Sequence, residues 1–139
     1  MFLTKYAMRE LITHLPFTQL RFYCSKQKGN TFHVTTAANR TGEAVVRYFS
    51  GQTDVMPAAC GSFVRMENDN SRMAKVCEKW GWDGSYFVGK WGHLRDQDRL
   101  YNHPAMVLNN YHWVLGGRWE CDDWEVGVSS GDFWKVFVR

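Results

Sequence analysis

The chain has 139 residues, of which 45% are hydrophobic, 16% aromatic and 22% charged, and its formal net charge at pH 7 is +3. This composition is typical of one globular domain over residues 1–139, and it excludes collagen-like, low-complexity and intrinsically disordered chains. The small positive charge excludes a protein that imitates DNA as a whole, because such a protein needs strong negative charge.

The first 36 residues predict a helix followed by a hairpin. Apolar residues at spacings of three and four predict an amphipathic helix over 3–15, and Pro16 disfavours its continuation. Two short runs, 19–25 and 31–36, are rich in aromatic and β-branched residues and flank a polar turn at 26–30. We therefore expect an antiparallel hairpin after the first helix.

The next segment, 41–49, has two interpretations. Its apolar residues suit one face of a helix, although three of them in succession would also suit a strand. We favour a short helix that is capped by Thr41 and ends at Gly51. Downstream, the run 63–66 predicts a strand.

The second half of the chain predicts two further short helices and several strands. Helical spacing and capping residues favour a helix over 71–80, and Pro104 favours another that ends near residue 110. A strand at 85–91 separates them, and three more strands are predicted at 111–115, 118–128 and 133–138. Because strands occur in runs, we expect an α+β domain with a mostly antiparallel sheet, a C-terminal β-meander and three to four short helices.

The cysteines and the apolar pattern indicate a reduced, intracellular protein. No pair has the C-x-x-C spacing of structural zinc sites, so we expect no metal and no cofactor. No apolar run is long enough to span a membrane, and the first residues do not resemble a secretion signal. We therefore expect a cytoplasmic protein with free thiols at Cys24, Cys60, Cys77 and Cys121.

The C-terminal half carries the features of a protein-binding surface. All seven tryptophans lie at or after residue 80, and one acidic turn is framed by two of them. Exposed tryptophans often supply most of the energy of a protein interface. The candidate binding residues are Trp82, Trp91, Trp119, Glu120, Asp122, Asp123, Trp124 and Glu125.

The last predicted strand is apolar on both faces, so either the fold or a partner must cover the second one. Phe133, Lys135 and Phe137 share one face, whereas the residues between them share the other. The small size, the lack of motifs and the aromatic excess resemble in type the inhibitors that phages and mobile elements encode against host defence complexes, including anti-CRISPR proteins. We therefore predict a non-catalytic protein-binding protein, with a homodimer among the assemblies to test.

Two alternatives use other parts of the chain. Residues 1–50 hold seven basic and two acidic side chains, so a nucleic-acid-binding domain is the first alternative. Its candidates are Arg21, Lys26, Lys28, Arg40 and Arg47, interleaved with the rings of Phe22, Tyr23, Phe32 and Tyr48. The second alternative is a small hydrolase whose acid–base groups are His93, Asp96, Asp98 and His103. These four lack a recognised metal-ligand spacing, and nearby arginines favour plain ion pairs.

Overall fold

The computed structural model describes residues 5–55, 57–58, 61–71 and 129–139. In chain order they form helix α1 (Lys5–His14), strands β1 (Leu20–Ser25) and β2 (Thr31–Thr36), helix α2 (Arg40–Phe49), and strands β3 (Phe63–Arg65) and β4 (Phe133–Val138). This part of the chain is α+β, as predicted. It holds two helices, and the other predicted helices and strands, between 72 and 128, lie outside it.

All strand pairs in the sheet are antiparallel, and the order is β3-β2-β1-β4. The predicted hairpin is confirmed, since β1 pairs with β2 and Ser25 lies opposite Thr31 beside the turn. The other edge of β1 pairs with β4, where Leu20 lies opposite Val138. The C-terminal strand is therefore added beside the N-terminal hairpin, a partner that a simple meander does not predict.

Alternation along β1 separates a core face from a second face. Leu20, Phe22 and Cys24 are fully buried, whereas the residues between them are partly exposed. Phe22 lies at the centre of the core, with its ring centroid 5.5 Å from that of Phe49 in α2 and 6.1 Å from that of Phe63 in β3. Both helices pack on this side, so the core lies between them and one face of the sheet.

Helix α2 begins one residue earlier than predicted and ends at the predicted glycine. Asn39 caps it, because its side-chain oxygen accepts a hydrogen bond from the Gly42 amide at 3.0 Å. Thr41 lies inside the helix and donates its hydroxyl to the same Asn39 oxygen. Gly51 adopts a left-handed φ of +73°, and the amides of Gly51 and Gln52 donate to carbonyls of the last turn. This is a Schellman ending.

Cys24 forms a disulfide in the core, so the expectation of a free thiol is wrong at this position. The three other cysteines of the chain lie outside the described residues. Spacing along the sequence does not show which cysteines come together in the fold, and this is why the disulfide was not predicted. Neither α1 nor α2, the helices of the described part, has the length and apolar character needed to cross a membrane.

Candidate functional site

The second face of the sheet is covered by neither α1 nor α2. The strand registers show that alternate residues of all four strands lie on this face, and most of their side chains are partly exposed. We call this surface the open face. Its members are Arg21, Tyr23, Ser25, Thr31, His33, Thr35, Val64, Phe133, Lys135 and Phe137.

Two cations of the open face lie on aromatic rings. The guanidinium carbon of Arg21 is 4.0 Å from the centroid of the Phe137 ring, which faces it across the β1–β4 pair. The ammonium nitrogen of Lys135 is 4.8 Å from the centroid of the Phe133 ring. Both distances lie within the range of a cation–π interaction. No open-face side chain is acidic, so among the described residues of this face nothing neutralises these two charges.

A hydrogen-bonded ring stack lies at the centre of the open face. The Tyr23 and His33 rings are stacked with centroids 4.3 Å apart, and the edge of Phe133 meets Tyr23 at 5.0 Å. Asn68 joins the stack from one side, because its oxygen accepts from Nδ1 of His33 and its amide donates to the Tyr23 hydroxyl at 2.9 Å. The rings are therefore held in fixed positions.

One ring nitrogen of His33 is buried on this face without a partner among the described residues. Nδ1 lies against the side-chain oxygen of Asn68. Nε2 is buried and has no hydrogen-bond partner in the described part of the chain.

Asp69 supports the open face through hydrogen bonds to β2 and to Arg65 of β3. One of its carboxylate oxygens accepts from the backbone amide of His33 at 2.9 Å and from the Ser71 hydroxyl at 2.8 Å. The other oxygen pairs with Nε of Arg65 at 2.8 Å. The charge of Arg65 is therefore already paired, and we assign this group a structural role.

Asp132 ties the β1–β2 turn to the start of β4. Its carboxylate accepts from the backbone amides of Gln27 and Ser129, each at 2.7 Å. These bonds, that from Gln27 first, hold the pKa of Asp132 below its ordinary value of 3.8. We call these two hydrogen bonds of Asp132 the clamp. The clamp fixes the point at which β4 begins, and therefore the positions of Phe133 and Lys135 on the open face.

The basic residues predicted to bind nucleic acid do not form one surface. Arg21 lies on the open face, whereas Arg40 and Arg47 are exposed on α2, on the opposite side of the sheet. Lys28 is exposed in the hairpin turn. Lys26 is only 4% exposed, and its charge contributes to lowering the pKa of Asp132.

The aromatic residues predicted beside those cations are divided between the two faces of the sheet. Phe22, Phe32 and Tyr48 are core residues, and only Tyr23 lies on the open face. Three β4 residues of the open face were missed as candidates: Lys135, Phe133 and Phe137. Alternation did place them on one face of the last strand. The missing information was that β4 pairs with β1 and carries this face next to Arg21.

The remaining candidate residues lie outside the described part of the chain and stay predictions. They are the protein-binding set, Trp82, Trp91, Trp119, Glu120, Asp122, Asp123, Trp124 and Glu125, and the hydrolase set, His93, Asp96, Asp98 and His103. Within residues 5–55, 57–58, 61–71 and 129–139, no three His, Cys, Asp or Glu side chains are grouped to hold a metal ion.

Comparison with protein-family models, curated proteins and solved structures gives no match. The chemistry of the open face is therefore the basis for a functional interpretation.

Proposed function

We propose that this protein binds single-stranded nucleic acid on the open face of its sheet and catalyses no reaction. The observation that carries the proposal is the pair of cations, Arg21 and Lys135, that lie on aromatic rings of a sheet face whose described side chains include no carboxylate. Proteins that bind single strands combine positive charge along the backbone with rings on which bases stack.

The two kinds of group divide the ligand between them. Tyr23, Phe133 and Phe137 are partly exposed rings, each covered in part by His33, Lys135 or Arg21, and we assign their remaining surface to unpaired bases. Such stacking contributes about 1–3 kcal/mol per base. Arg21 and Lys135 supply charge to the phosphates that flank each base. A double helix hides the faces of its bases, so a surface of this kind favours an unpaired strand.

The test compares two variants that remove the same charge from opposite sides of the sheet. Lys135→Ala removes an exposed cation of the open face, and Arg47→Ala removes an exposed cation of α2. Affinity for a labelled single-stranded oligodeoxythymidine is measured by fluorescence anisotropy over a range of salt concentrations. We expect Lys135→Ala to weaken binding roughly threefold and to reduce the slope of log affinity against log salt by about 0.7. Arg47→Ala should change neither quantity.

A ring substitution provides a second readout that charge does not affect. Phe133→Leu keeps apolar bulk and removes the stacking surface, so we expect roughly tenfold weaker binding with an unchanged salt slope. Equal effects of Lys135→Ala and Arg47→Ala would show that the oligonucleotide binds through the net positive charge of the protein and not through one face of the sheet. Loss of binding in Arg47→Ala alone would move the site to α2. Either result contradicts the open-face proposal.

Protein binding, including inhibition of a host defence complex through the tryptophan-rich half, is a second proposal. One observation on the described part supports it: Val64 is an apolar residue that is half-exposed on the open face, opposite Thr35 at the β3 edge of the sheet. Capture of partners from a bacterial lysate, with and without nuclease, separates the two proposals. A protein captured after nuclease treatment and lost with Val64→Asp supports protein binding, and capture that nuclease abolishes supports nucleic acid.

The cytoplasm is the compartment that we propose from the sequence pattern, and the disulfide of Cys24 is the one observation on the described part that counts against it. Disulfides are rare in the cytosol, where thiols are kept reduced. Because Cys24 is fully buried, free thiols are alkylated during lysis in denaturant, and mass spectrometry then shows whether Cys24 is paired in cells. An alkylated Cys24 supports the cytoplasm, and an intact disulfide contradicts it.

A further inference from the structure

A cavity of about 370 Å³ lies at the end of the open face where β1 begins and β4 ends. We call it the Arg21 pocket. Its polar lining includes Arg21, Thr35, Gln19 and Arg139, and Phe137 contributes to its apolar part. The volume lies at the lower end of the range of about 300–1,000 Å³ that is typical of small-molecule sites.

The Nε atom of Arg21 is buried and has no hydrogen-bond partner among the described residues. A buried donor on a cation without an acceptor is destabilising, so such groups are normally paired. The guanidinium is held in place by the Phe137 ring, 4.0 Å below it. A fixed, planar guanidinium is suited to donating two parallel hydrogen bonds to an oxyanion.

A second cation belongs to the same pocket, and the lining described there contains no acidic side chain to neutralise the pair. Arg139 is positioned by its backbone, since its amide donates to the Gln19 carbonyl at 3.0 Å and its carbonyl accepts from the Gln19 amide at 3.0 Å. The Gln19 side-chain amide donates to the Thr36 carbonyl at 2.9 Å, which fixes that wall of the pocket. A lining that includes two arginines suits an anion of more than one charge.

We propose that the Arg21 pocket binds a terminal phosphate monoester. A terminal phosphate carries about −1.5 to −2 charges at neutral pH, as estimated for phosphomonoesters in proteins, whereas an internal phosphodiester carries one. The pocket also closes the end of the open face, so a strand that runs along the sheet would reach it with its end. If the phosphate is the end of a nucleic-acid strand, this inference rests on the proposed function. A free mononucleotide carries the same phosphate monoester and does not depend on the proposed function.

The experiment compares oligodeoxythymidines with a 5′-phosphate, with a 3′-phosphate and with hydroxyls at both ends, together with thymidine monophosphate. We expect one phosphorylated end to bind roughly tenfold tighter than the hydroxyl-ended strand. Arg21→Lys keeps the charge and removes the planar fork, so it should abolish this preference. Arg47→Lys, on α2, is the matched control and should preserve it. Arg139→Ala alters an exposed side chain, so the fold is retained, and it should reduce the preference several-fold.

The outcomes separate this inference from the proposed function. If all three strands bind equally well and Arg21→Lys changes nothing, the pocket inference is wrong and the open face still binds nucleic acid. If no strand binds but thymidine monophosphate does, with loss in Arg21→Lys, the pocket inference stands and the proposed function is wrong. If nothing binds, both are wrong.

Discussion

Gly42 lies in the first turn of α2, where an added methyl group would meet backbone atoms. A Cβ built on Gly42 lies 1.9 Å from the Ala37 carbonyl oxygen and 2.8 Å from the Ala37 nitrogen. Ala37 cannot move away freely, because its amide donates to the Ser62 carbonyl at 2.8 Å directly after β2. The substitution Gly42→Ala therefore displaces the start of the helix.

The expected cost follows from these contacts. A collision with fixed backbone places the overpacking penalty near the upper end of the usual range, about 3 kcal/mol. Displacing the Gly42 amide also breaks its 3.0 Å bond to Asn39, which costs about 1 kcal/mol. Alanine recovers about 1 kcal/mol through its better helix propensity. The net loss of unfolding free energy is about 3 kcal/mol, which lowers Tm by roughly 10 °C in a chain of this length.

Chemical unfolding followed by circular dichroism measures this loss, and Gly61 is the control. Gly61 has a φ of +80°, and the nearest atom to an added Cβ is 3.9 Å away. Gly61→Ala should lower the unfolding free energy by about 1–2 kcal/mol, because alanine is strained at this positive φ. Gly61→Asn should lower it less, since asparagine tolerates this conformation. At Gly42 the order should reverse, with Asn worse than Ala. If Gly42→Ala is as stable as the natural chain or more so, helix propensity dominates and the steric argument is wrong.

Three further predictions concern single groups. Asp132→Asn should lower the unfolding free energy at pH 7, because the ionised carboxylate accepts the two backbone hydrogen bonds. The native pKa of Asp132 lies below 3.8, so in the natural chain this stabilisation should be lost only as the pH falls below 3.8. Urea unfolding of both proteins at pH 7 and at about pH 2 measures the difference. Asn39→Ala should cost about 1 kcal/mol in urea unfolding and Asn39→Asp much less, and equal effects would contradict the capping role. Reduction of the Cys24 disulfide should lower the unfolding free energy by about 4 kcal/mol, and Cys24→Ala should remove this part of the response of stability to a reductant.

Local structure was predictable wherever short-range rules decide it. The alternation of β1 and β2 and the glycine that ends α2 depend only on neighbouring residues, and these elements lie where the sequence places them. The cap of α2 was misplaced because Asn39 and Thr41 are both good capping residues. The structure shows that Asn39, with extended backbone angles of −150° and 178°, accepts a hydrogen bond from the Gly42 amide. The Thr41 hydroxyl lies 2.8 Å from both the Asn39 side-chain oxygen and the Gly61 carbonyl oxygen, and its single proton serves these two acceptors.

The candidate site was less predictable because it depends on contacts between distant segments. A count of basic residues in the first 50 positions grouped Arg21 with Arg47, which lie on opposite sides of the sheet. Only the pairing of β1 with β4 places Arg21 on Phe137. A shift of one position decides whether a ring is in the core, as for Phe22, or on the open face, as for Tyr23.

The pairing of β1 with β4 also determines at what stage of synthesis the proposed binding surface forms. The β1–β2 hairpin needs only neighbouring residues, so it can form early. The second edge of β1 must wait for a strand that lies much later in the chain, since the clamp between Gln27 and Asp132 joins positions 105 apart. Until then, the nascent chain exposes an unpaired edge of its central strand, a state that is prone to aggregate. Lys135, Phe133 and Phe137 arrive on that late strand, so the surface that we assign to binding is assembled last.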